Sequence, residues 1–324
     1  MTLVVLGVDA LDPELVDSDE HPSLTLESHR SIETITSSTG EPSTHELWPT
    51  IITGLRPEEH GLVLDEGVAW QNPVLRIGRD VGQYVLTDGM RTRIGAWLLN
   101  NTDEDAFREP VTYYEENDIQ TVFDGRDSKA IGIPNYVVDP DDEDREHELR
   151  KSMGELFERD PDEKGGHTSD DPHEFYELCM EMVMIRVART RRALRSHNYE
   201  LVFGYTSGLD LVGHVSYDLP ALQERAYDET DDFVGELRDD LGDDELLLVS
   251  DHGLQDGVHT HEAMVAGTKE EMVESIDSVT DVRGAVEDEL RAGDHQPAPD
   301  ETTARRDDEK GEKVREQLED LGYM

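Results

Sequence analysis

Three aspartates and three histidines of this 324-residue chain lie at or just beyond the ends of apolar runs. They are Asp9, Asp210, His214, Asp251, His252 and either His259 or His261. Carboxylate oxygens and imidazole nitrogens are ligands that zinc and manganese accept in proteins. Asp251 and His252 directly follow an apolar run, where two ionisable groups in succession must be paired or bound. The set therefore predicts a site for divalent cations.

The apolar runs before these residues have the composition of parallel strands that are buried on both faces. They are Leu3–Val8, Glu200–Tyr205 and Glu245–Val249, with weaker candidates at Arg93–Leu98 and Ala130–Ile133. Helical periodicity is clearest in Pro172–Arg195, Leu219–Leu241 and Lys269–Arg291. The alternation predicts an α/β fold with a central, mostly parallel sheet flanked by helices, in which ligands gather at the carboxyl ends of the strands. Each aspartate or histidine, taken alone, is more simply interpreted as a helix-capping or surface residue. Because such residues follow three strands whose ends should meet, one shared site is favoured.

The chain is predicted to form a single α/β domain over residues 1–292, followed by a linker and a short helical tail over residues 293–324. Two polar segments, about 100–127 and 139–171, interrupt the alternation and are expected to form insertions above the sheet. The one cysteine, Cys179, lies in an apolar run. Because a single cysteine forms neither an internal disulfide nor a thiolate cluster, it is expected to be a buried core thiol.

The charge of the chain limits its partners. It carries 29 Lys and Arg residues against 77 Asp and Glu residues, a formal net charge of −48. Such a surface would repel a nucleic-acid duplex or an anionic membrane, so neither is expected as a partner. The charge favours a halophilic source, because the Debye length falls to about 3 Å in molar salt. No apolar run approaches the ~20 residues of a membrane span, and the start lacks a signal-peptide pattern, so a cytoplasmic protein is expected.

A possible nucleophile lies between the first strand and the rest of the chain. Thr44 opens a segment that reads Thr-His-Glu-Leu-Trp-Pro-Thr-Ile-Ile-Thr-Gly and continues to Gly61. A threonine hydroxyl is a poor nucleophile at neutral pH, and a divalent cation activates it by stabilising the alkoxide. On this segment alone Thr44 would pass for an ordinary loop residue. No nucleophile elbow, Walker A loop or dinucleotide fingerprint competes with it in the sequence.

Together these residues resemble the alkaline phosphatase superfamily, and specifically its type I phosphodiesterase/nucleotide pyrophosphatase family. That family has an apolar strand ending in Asp, then Thr-x-Pro-x-Trp-x-Ser-x-x-Thr-Gly-x-x-Pro-x-x-His-Gly, then Asp-x-x-x-His, Asp-His-Gly and one later His. The matching stretches here are Val8-Asp9, Thr44 to Gly61, Asp210 to His214, Ser250 to Gly253, and His259. The order of the motifs agrees, and so does the step from Thr44 to Thr53.

The resemblance implies an alkaline phosphatase-like fold and a metal-dependent phosphoric ester hydrolase with two divalent cations, zinc or alternatively manganese. One cation would be held by Asp9, Asp251 and His252 together with Thr44, and the other by Asp210, His214 and His259. Thr44 would attack phosphorus and form a phosphothreonine, which water then hydrolyses. The implied partner is a small phosphorylated substrate: a phosphodiester, a pyrophosphate or a monoester. Family spacing favours His259 over His261.

Two positions depart from the family pattern. Glu46 stands where the family has Pro, and Leu47 stands where eukaryotic nucleotide pyrophosphatases have a phosphate-binding Asn. One hydrogen-bond donor to the phosphoryl group is therefore missing or comes from elsewhere. Two alternatives stay open: a transferase that passes the phosphoryl or phospho-alcohol group to an acceptor other than water, and a catalytically weakened metal-binding homologue.

Overall fold

The computed structural model describes residues 1–36, 40–63, 109–138, 146–160, 164 and 166–292. The predicted strand Arg93–Leu98 and the predicted linker and tail over 293–324 lie outside these residues. The two predicted insertions, 100–127 and 139–171, are described only in part.

A mostly parallel sheet forms the centre of the fold. The strands are β1 (Leu3–Val8), β2 (Ser28–Glu33), β3 (Ser128–Ile131), β4 (Glu158–Arg159), β5 (His167–Thr168), β6 (Leu201–Thr206), β7 (Glu245–Val249), β8 (Leu254–Gln255), β9 (Val258–His259) and β10 (Glu262–Gly267). Within the described residues, six of them form the central sheet in the order β2-β10-β7-β1-β6-β3. β1 pairs in parallel with β6 and β7, and β6 pairs in parallel with β3. β10 runs antiparallel to β7 and β2. The predicted α/β fold and its three central strands are confirmed.

Helices cover both faces of this sheet. They are α1 (Pro22–Thr25), α2 (Thr44–Thr53), α3 (Pro57–His60), α4 (Val111–Glu116), α5 (His147–Leu156), α6 (Pro172–Leu194), α7 (Gly208–Ser216), α8 (Pro220–Asp239), α9 (Glu270–Glu274) and α10 (Val282–Ala292). α6 begins where the sequence predicts, because the Asp171 side chain accepts a hydrogen bond from the N–H of Glu174 and Pro172 occupies the first turn. None of the helices in the described ranges is long and apolar enough to cross a membrane.

The core has two parts, one on each face of the sheet. β1 is buried along its whole length, and its alternate side chains point to opposite faces. Val4 and Leu6 pack with residues of α6 and α8, whereas Leu3 and Val5 pack with residues of α2 and α10. Cys179 is fully buried in the first of these clusters, as predicted. Burial on both faces explains why β1 reads as a continuous apolar run.

The prediction of one helix over Lys269–Arg291 is wrong. The segment forms two helices, α9 and α10, with a stretch of turns and one isolated β-bridge between them. In that stretch the N–H of Glu33, at the end of β2, donates to the carbonyl of Asp277, and the N–H of Val279 donates to the carbonyl of Glu33. Asp281 Oδ2 then accepts the N–H of Ser278 at 2.9 Å. Pairing with the edge strand therefore interrupts a pattern that looks helical in sequence.

Candidate functional site

The residues predicted at the site lie together where the central parallel strands end. They are Asp9 after β1, Thr44 at the first position of α2, Asp210 and His214 on α7, Asp251 and His252 after β7, and His259 in β9. His261, the alternative to His259, is exposed and belongs to neither group of potential metal ligands in the described residues.

The first group of side chains surrounds the Nε2 atom of His252. This nitrogen lies 3.4 Å from Asp9 Oδ1 and 3.4 Å from Asp251 Oδ2. The Thr44 Oγ1 atom lies 3.2 Å from the same nitrogen and 3.4 Å from Asp9 Oδ1. Asp9, Asp251 and His252 are all fully buried or nearly so. The threonine hydroxyl is thus in direct contact with a buried cluster of potential ligands.

The second group contains Asp210 and His259, whose ligand atoms also lie within 4.8 Å of a ligand atom of His252, together with the neighbouring His214. Asp210 Oδ1 lies 3.3 Å from Nε2 of His214 and 3.3 Å from Nε2 of His259, and the two nitrogens are 2.9 Å apart. The His259 ring stacks on the His252 ring of the first group, with their centres 3.9 Å apart. The two groups are therefore neighbours.

Hydrogen bonds to the backbone determine which nitrogen of each histidine faces the cluster. The Nδ1 atoms of His214, His252 and His259 lie 3.0, 3.2 and 2.9 Å from the carbonyl oxygens of Gly257, Gly253 and Pro42, respectively. A carbonyl only accepts, so each Nδ1 carries a proton and each Nε2 is the ring nitrogen that faces the cluster. Metal-binding histidines are oriented in the same way, by a hydrogen bond from the outer ring nitrogen.

The carboxylates also fit a bound cation. Within the described residues, neither oxygen of Asp251 has a hydrogen-bond partner, and Asp210 Oδ1 has only the two histidine nitrogens 3.3 Å away beside it. Ligands about 2.0–2.1 Å from a tetrahedral zinc ion lie about 3.3–3.4 Å from one another, close to most separations in both groups. A cation at each group would satisfy these oxygens and the histidine lone pairs together.

The pKa values of the three aspartates also indicate a site that requires added positive charge. Burial, with the charges of Asp251 and Asp210, raises the pKa of Asp9 well above its ordinary value. Burial raises the pKa of Asp251 to about 7. Burial acts in the same direction on Asp210, but His214 and His259 hold its pKa well below its ordinary value. Without added positive charge, the protein therefore disfavours the ionised forms of Asp9 and Asp251. A divalent cation requires these carboxylates to be ionised and, by its charge, would stabilise them in that form.

Tyr205, at the end of β6, is a site residue that the sequence reasoning missed. Its hydroxyl donates to Asp9 Oδ2 at 2.5 Å, and both residues are buried. The Trp48 ring packs against it edge to face, 4.9 Å between centres, and lies directly over Gly7, where a Cβ would come within 2.4 Å of the indole. Its position near the end of β6 was the available signal, because β6 pairs with β1, the strand that leads to Asp9.

Helix α2, which presents Thr44, is fixed at two further points. Pro49 lies inside this helix and has no N–H to donate to the His45 carbonyl. The side-chain amide of Asn135 donates to that carbonyl instead, at 2.9 Å. His60 Nδ1 accepts the N–H of Leu62, so its Nε2 carries a proton and donates to Thr50 Oγ1 at 3.1 Å. The later part of the threonine motif therefore serves to hold the helix.

The two positions that depart from the family pattern are both buried. Leu47 packs in the apolar core with Trp48 and Ile51, so its side chain is not directed at the cluster. Glu46 is 2% exposed, and its backbone N–H donates to the Ser43 carbonyl at 2.9 Å. A donor that replaces the missing amide must therefore come from another residue.

Comparison with known proteins gives one extensive match. The model of the family described as type I phosphodiesterase / nucleotide pyrophosphatase matches residues 3–321. A comparison with curated proteins finds no relative of the chain.

Similar solved structures are more distant. They include a protein of Pyrococcus horikoshii (12% identity, 92% of this chain and 98% of that chain, TM-score 0.44). Another is the murine ectonucleotide pyrophosphatase / phosphodiesterase 5, at 14% identity over 78% of this chain and 57% of that chain, with a TM-score of 0.37. A third is a phosphonoacetate hydrolase from Sinorhizobium meliloti, at 12% identity over 78% of this chain and 56% of that chain, with a TM-score of 0.39. The matches span little more than half of the last two chains. Since these TM-scores lie below 0.5, the family assignment depends on the family model alone.

Proposed function

We propose that this chain, which belongs to the type I phosphodiesterase / nucleotide pyrophosphatase family and is a phosphoric ester hydrolase, uses Thr44 as its nucleophile and two divalent cations as its cofactors. Asp9, Asp251 and His252 would hold one cation beside Thr44, and Asp210, His214 and His259 would hold the other. Three imidazoles and three carboxylates favour zinc, with manganese as the alternative.

One observation carries this proposal. The Thr44 hydroxyl lies within 3.4 Å of two potential metal ligands, His252 and Asp9, at the first residue of a ten-residue helix. The N-terminal end of a helix carries a partial positive charge that favours an alkoxide and an incoming phosphate. Two divalent cations, when bound, neutralise charge on the attacking and leaving oxygens and lower the pKa of a hydroxyl or a water.

The reaction then follows from the position of Thr44. Its Oγ1 attacks phosphorus in line with the bond to the alcohol oxygen, so the Oγ1–P bond forms while the P–O bond to the alcohol breaks. The alcohol leaves with a proton. Water attacks the phosphothreonine, which restores the Thr44 hydroxyl and releases phosphate from a monoester or a phosphomonoester from a diester.

The test compares Thr44→Ala with the wild type on p-nitrophenyl phosphate and bis-p-nitrophenyl phosphate, in molar KCl to suit the acidic surface. We expect Thr44→Ala to bind two metal ions per chain, as the wild type does, and to lose turnover by about 10³-fold or more. Thr44→Ser should retain part of the activity, because it keeps a hydroxyl. Ser43→Ala is the matched control, since the Ser43 side chain makes no capping hydrogen bond to α2.

Two further readouts separate the alternatives. Acid quenching followed by mass spectrometry should find one phosphoryl group on the peptide containing Thr44. A phosphothreonine that persists until an alcohol is added would indicate a transferase, whereas two bound metals with no turnover of either ester would indicate a weakened homologue. An active Thr44→Ala enzyme would refute the nucleophile.

A further inference from the structure

A cavity of about 370 Å³ opens beside the candidate site. Its lining includes His45, which follows Thr44, and Leu211, which follows Asp210. It also includes Tyr205, which is bound to the first group of potential ligands. The cavity is of the size typical of small-molecule sites, roughly 300–1,000 Å³. An organic group bonded to a phosphorus atom at Thr44 therefore has a cavity to enter.

One part of the cavity wall is apolar. It is formed by Met153 and Phe157, at the end of α5, and by Phe175 and Met182 of α6. The Phe157 ring stacks on His167 and on Phe175, with centres 4.5 and 5.4 Å apart and planes at 19° in both pairs. Stacking holds these rings in place, whereas the unbranched methionine side chains adapt to the shape of a neighbour. Fixed aromatic rings favour the edge or the face of another ring beside them.

A second apolar part of the wall comes from the turn after β3. Ile133, Pro134 and Val137 line the cavity there, and Ile133 and Val137 are buried. Apolar side chains from two separate segments of the chain therefore line the same space. Covering them with an apolar group removes their surface from water, which is the main favourable contribution to most association.

The charged side chains and the amide of the lining are bound within the protein. Arg150 and Arg186 both bind the buried carboxylate of Glu146, at 3.1 and 2.5 Å. Gly132 leaves room for the Arg186 guanidinium, because a Cβ at this glycine would lie 0.8 Å from Nη1. The Asn135 amide donates to a backbone carbonyl of α2 at 2.9 Å. The surface that remains for a ligand is therefore mainly apolar.

Gly154, inside α5, keeps part of this space open. It lines the cavity, and a Cβ added to it would meet no described atom within 4 Å. Glycine weakens a helix relative to alanine, and no close neighbour of Gly154 in the described residues requires it. A larger side chain at this position would extend into unoccupied space at the cavity without a clash.

We propose that this cavity binds the organic group of the phosphate ester, and that this group is apolar and of the size of one or two fused aromatic rings. The proposal deepens the function proposed above and rests on it, because it takes phosphorus to lie at Thr44. An apolar cavity of about 150 Å³ is enough to bind benzene. About 370 Å³ therefore holds a larger ring system, or one ring with the atoms that link it to phosphorus. The competing interpretation is a solvent channel that no part of the substrate enters.

The experiment compares the binding of benzylphosphonate and methylphosphonate to the zinc-loaded protein in molar KCl. Neither phosphonate ester bond nor leaving group is present, and the two ligands differ by one phenyl ring. We expect benzylphosphonate to bind about tenfold or more tightly by calorimetry, because its ring leaves water. Gly154→Leu should remove most of this difference, since the added side chain takes up space that the ring needs. Gly284→Leu is the matched control and should keep the difference, because it adds the same side chain to α10, where a Cβ also meets no described atom within 4 Å.

The methionine methyl groups report where the ring binds. In protein labelled with ¹³C at these methyl groups, benzylphosphonate should shift the signals of Met153 and Met182, and methylphosphonate should not. Met184, on the exposed side of α6, is the control whose signal should stay in place. Equal affinities for the two phosphonates, an unchanged difference in Gly154→Leu, or tighter binding of benzylphosphonate without these shifts would overturn the proposal.

The same measurements separate this proposal from the proposed function, because binding of a phosphonate does not require catalysis. If Thr44→Ala stays active but the preference for the ring depends on Gly154, only the nucleophile is refuted. If Thr44 is essential and the two phosphonates bind equally, only the cavity proposal is refuted. If neither phosphonate binds, the two-cation site is refuted, and benzyl alcohol, which lacks the phosphonate, then tests the cavity alone through the signals of Met153 and Met182.

Discussion

Replacing Asp251 with Asn should stabilise the metal-free protein at alkaline pH and weaken its binding of divalent cations. Asp251 is fully buried after β7, and within the described residues neither of its carboxylate oxygens has a hydrogen-bond partner. Burial, with the nearby charge of Asp210, raises its pKa from 3.8 to about 7. Asn has nearly the same shape but no charge, so it removes the cost of burying a carboxylate without creating a cavity.

The size of the effect follows from proton linkage. Between pH 3.8 and about 7 the folded protein keeps a proton on Asp251 that the unfolded chain has released. The free energy of unfolding therefore falls as pH rises through this range, and the loss is complete above the folded pKa. The shift of about 3 pH units corresponds to about 4 kcal/mol at 1.36 kcal/mol per unit. About 3 kcal/mol of that loss falls between pH 5 and pH 8.5.

The assay is urea unfolding of both proteins in molar KCl with a chelator, at pH 5 and pH 8.5. We expect the stability of Asp251→Asn relative to wild type to rise by about 3 kcal/mol between the two pH values. Adding zinc at pH 8.5 should reverse the order, because an ionised Asp251 then has a cation beside it and Asn lacks the charge to bind it. Asp243→Asn, which removes an exposed carboxylate, is the matched control and should show neither effect.

Two results would refute this reasoning. If the stability difference between wild type and Asp251→Asn did not change with pH, the buried carboxylate would not be destabilising. If zinc stabilised both proteins equally, Asp251 would not be a metal ligand, whatever its pKa.

Two other substitutions test the supports of the site. Tyr205→Phe removes the hydroxyl that donates to Asp9 and should lower the affinity for zinc about 10- to 100-fold. The affinity is measured by competition with a chromophoric chelator, and an unchanged value would contradict a role of Tyr205 in positioning Asp9. Burial lowers the pKa of His60 from 6.5 to about 4. Below pH 6.5 the unfolded chain therefore binds a proton at His60 that the folded protein does not, and the free energy of unfolding falls as the pH falls. His60→Gln should therefore remove about 2 kcal/mol of the acid destabilisation measured by urea unfolding between pH 7 and pH 5, and an identical pH dependence in both proteins would contradict this.

The central strands were predictable because their signal is local. A strand buried on both faces is apolar at every position, so its sequence alone identifies it. Leu3–Val8 and Glu245–Val249 have the predicted bounds, and the third strand is shifted by one residue, to Leu201–Thr206. The chain order of strands and helices then indicated which strand ends would meet, and the predicted aspartates and histidines do lie together there.

Other parts of the site could not be predicted from the sequence, because they depend on contacts between segments that are far apart in the chain. Tyr205 and Asp9 are 196 residues apart, and in its own segment Tyr205 looks like any other strand residue. Arg186 looks like one of several arginines on a long helix until Glu146 and Gly132 are placed beside it. His259 and His261 were not distinguishable by residue type. The structure separates them, because His259 lies in the short strand β9 facing Asp210, whereas His261 lies beyond the strand and is exposed.

The acidic surface and the proposed phosphate-ester substrate are compatible because salt screens exposed charges more strongly than buried ones. Molar salt shortens the Debye length to about 3 Å and therefore screens exposed charges on a chain whose formal net charge is −48. The proposed positive charge is largely buried, since two dications against three carboxylates at the cluster give a net charge of +1. Buried charges are screened much less. Rising salt should therefore weaken the surface repulsion of an approaching phosphate ester before it weakens the attraction within the site, so that the acidic surface and the cationic site have separate electrostatic roles.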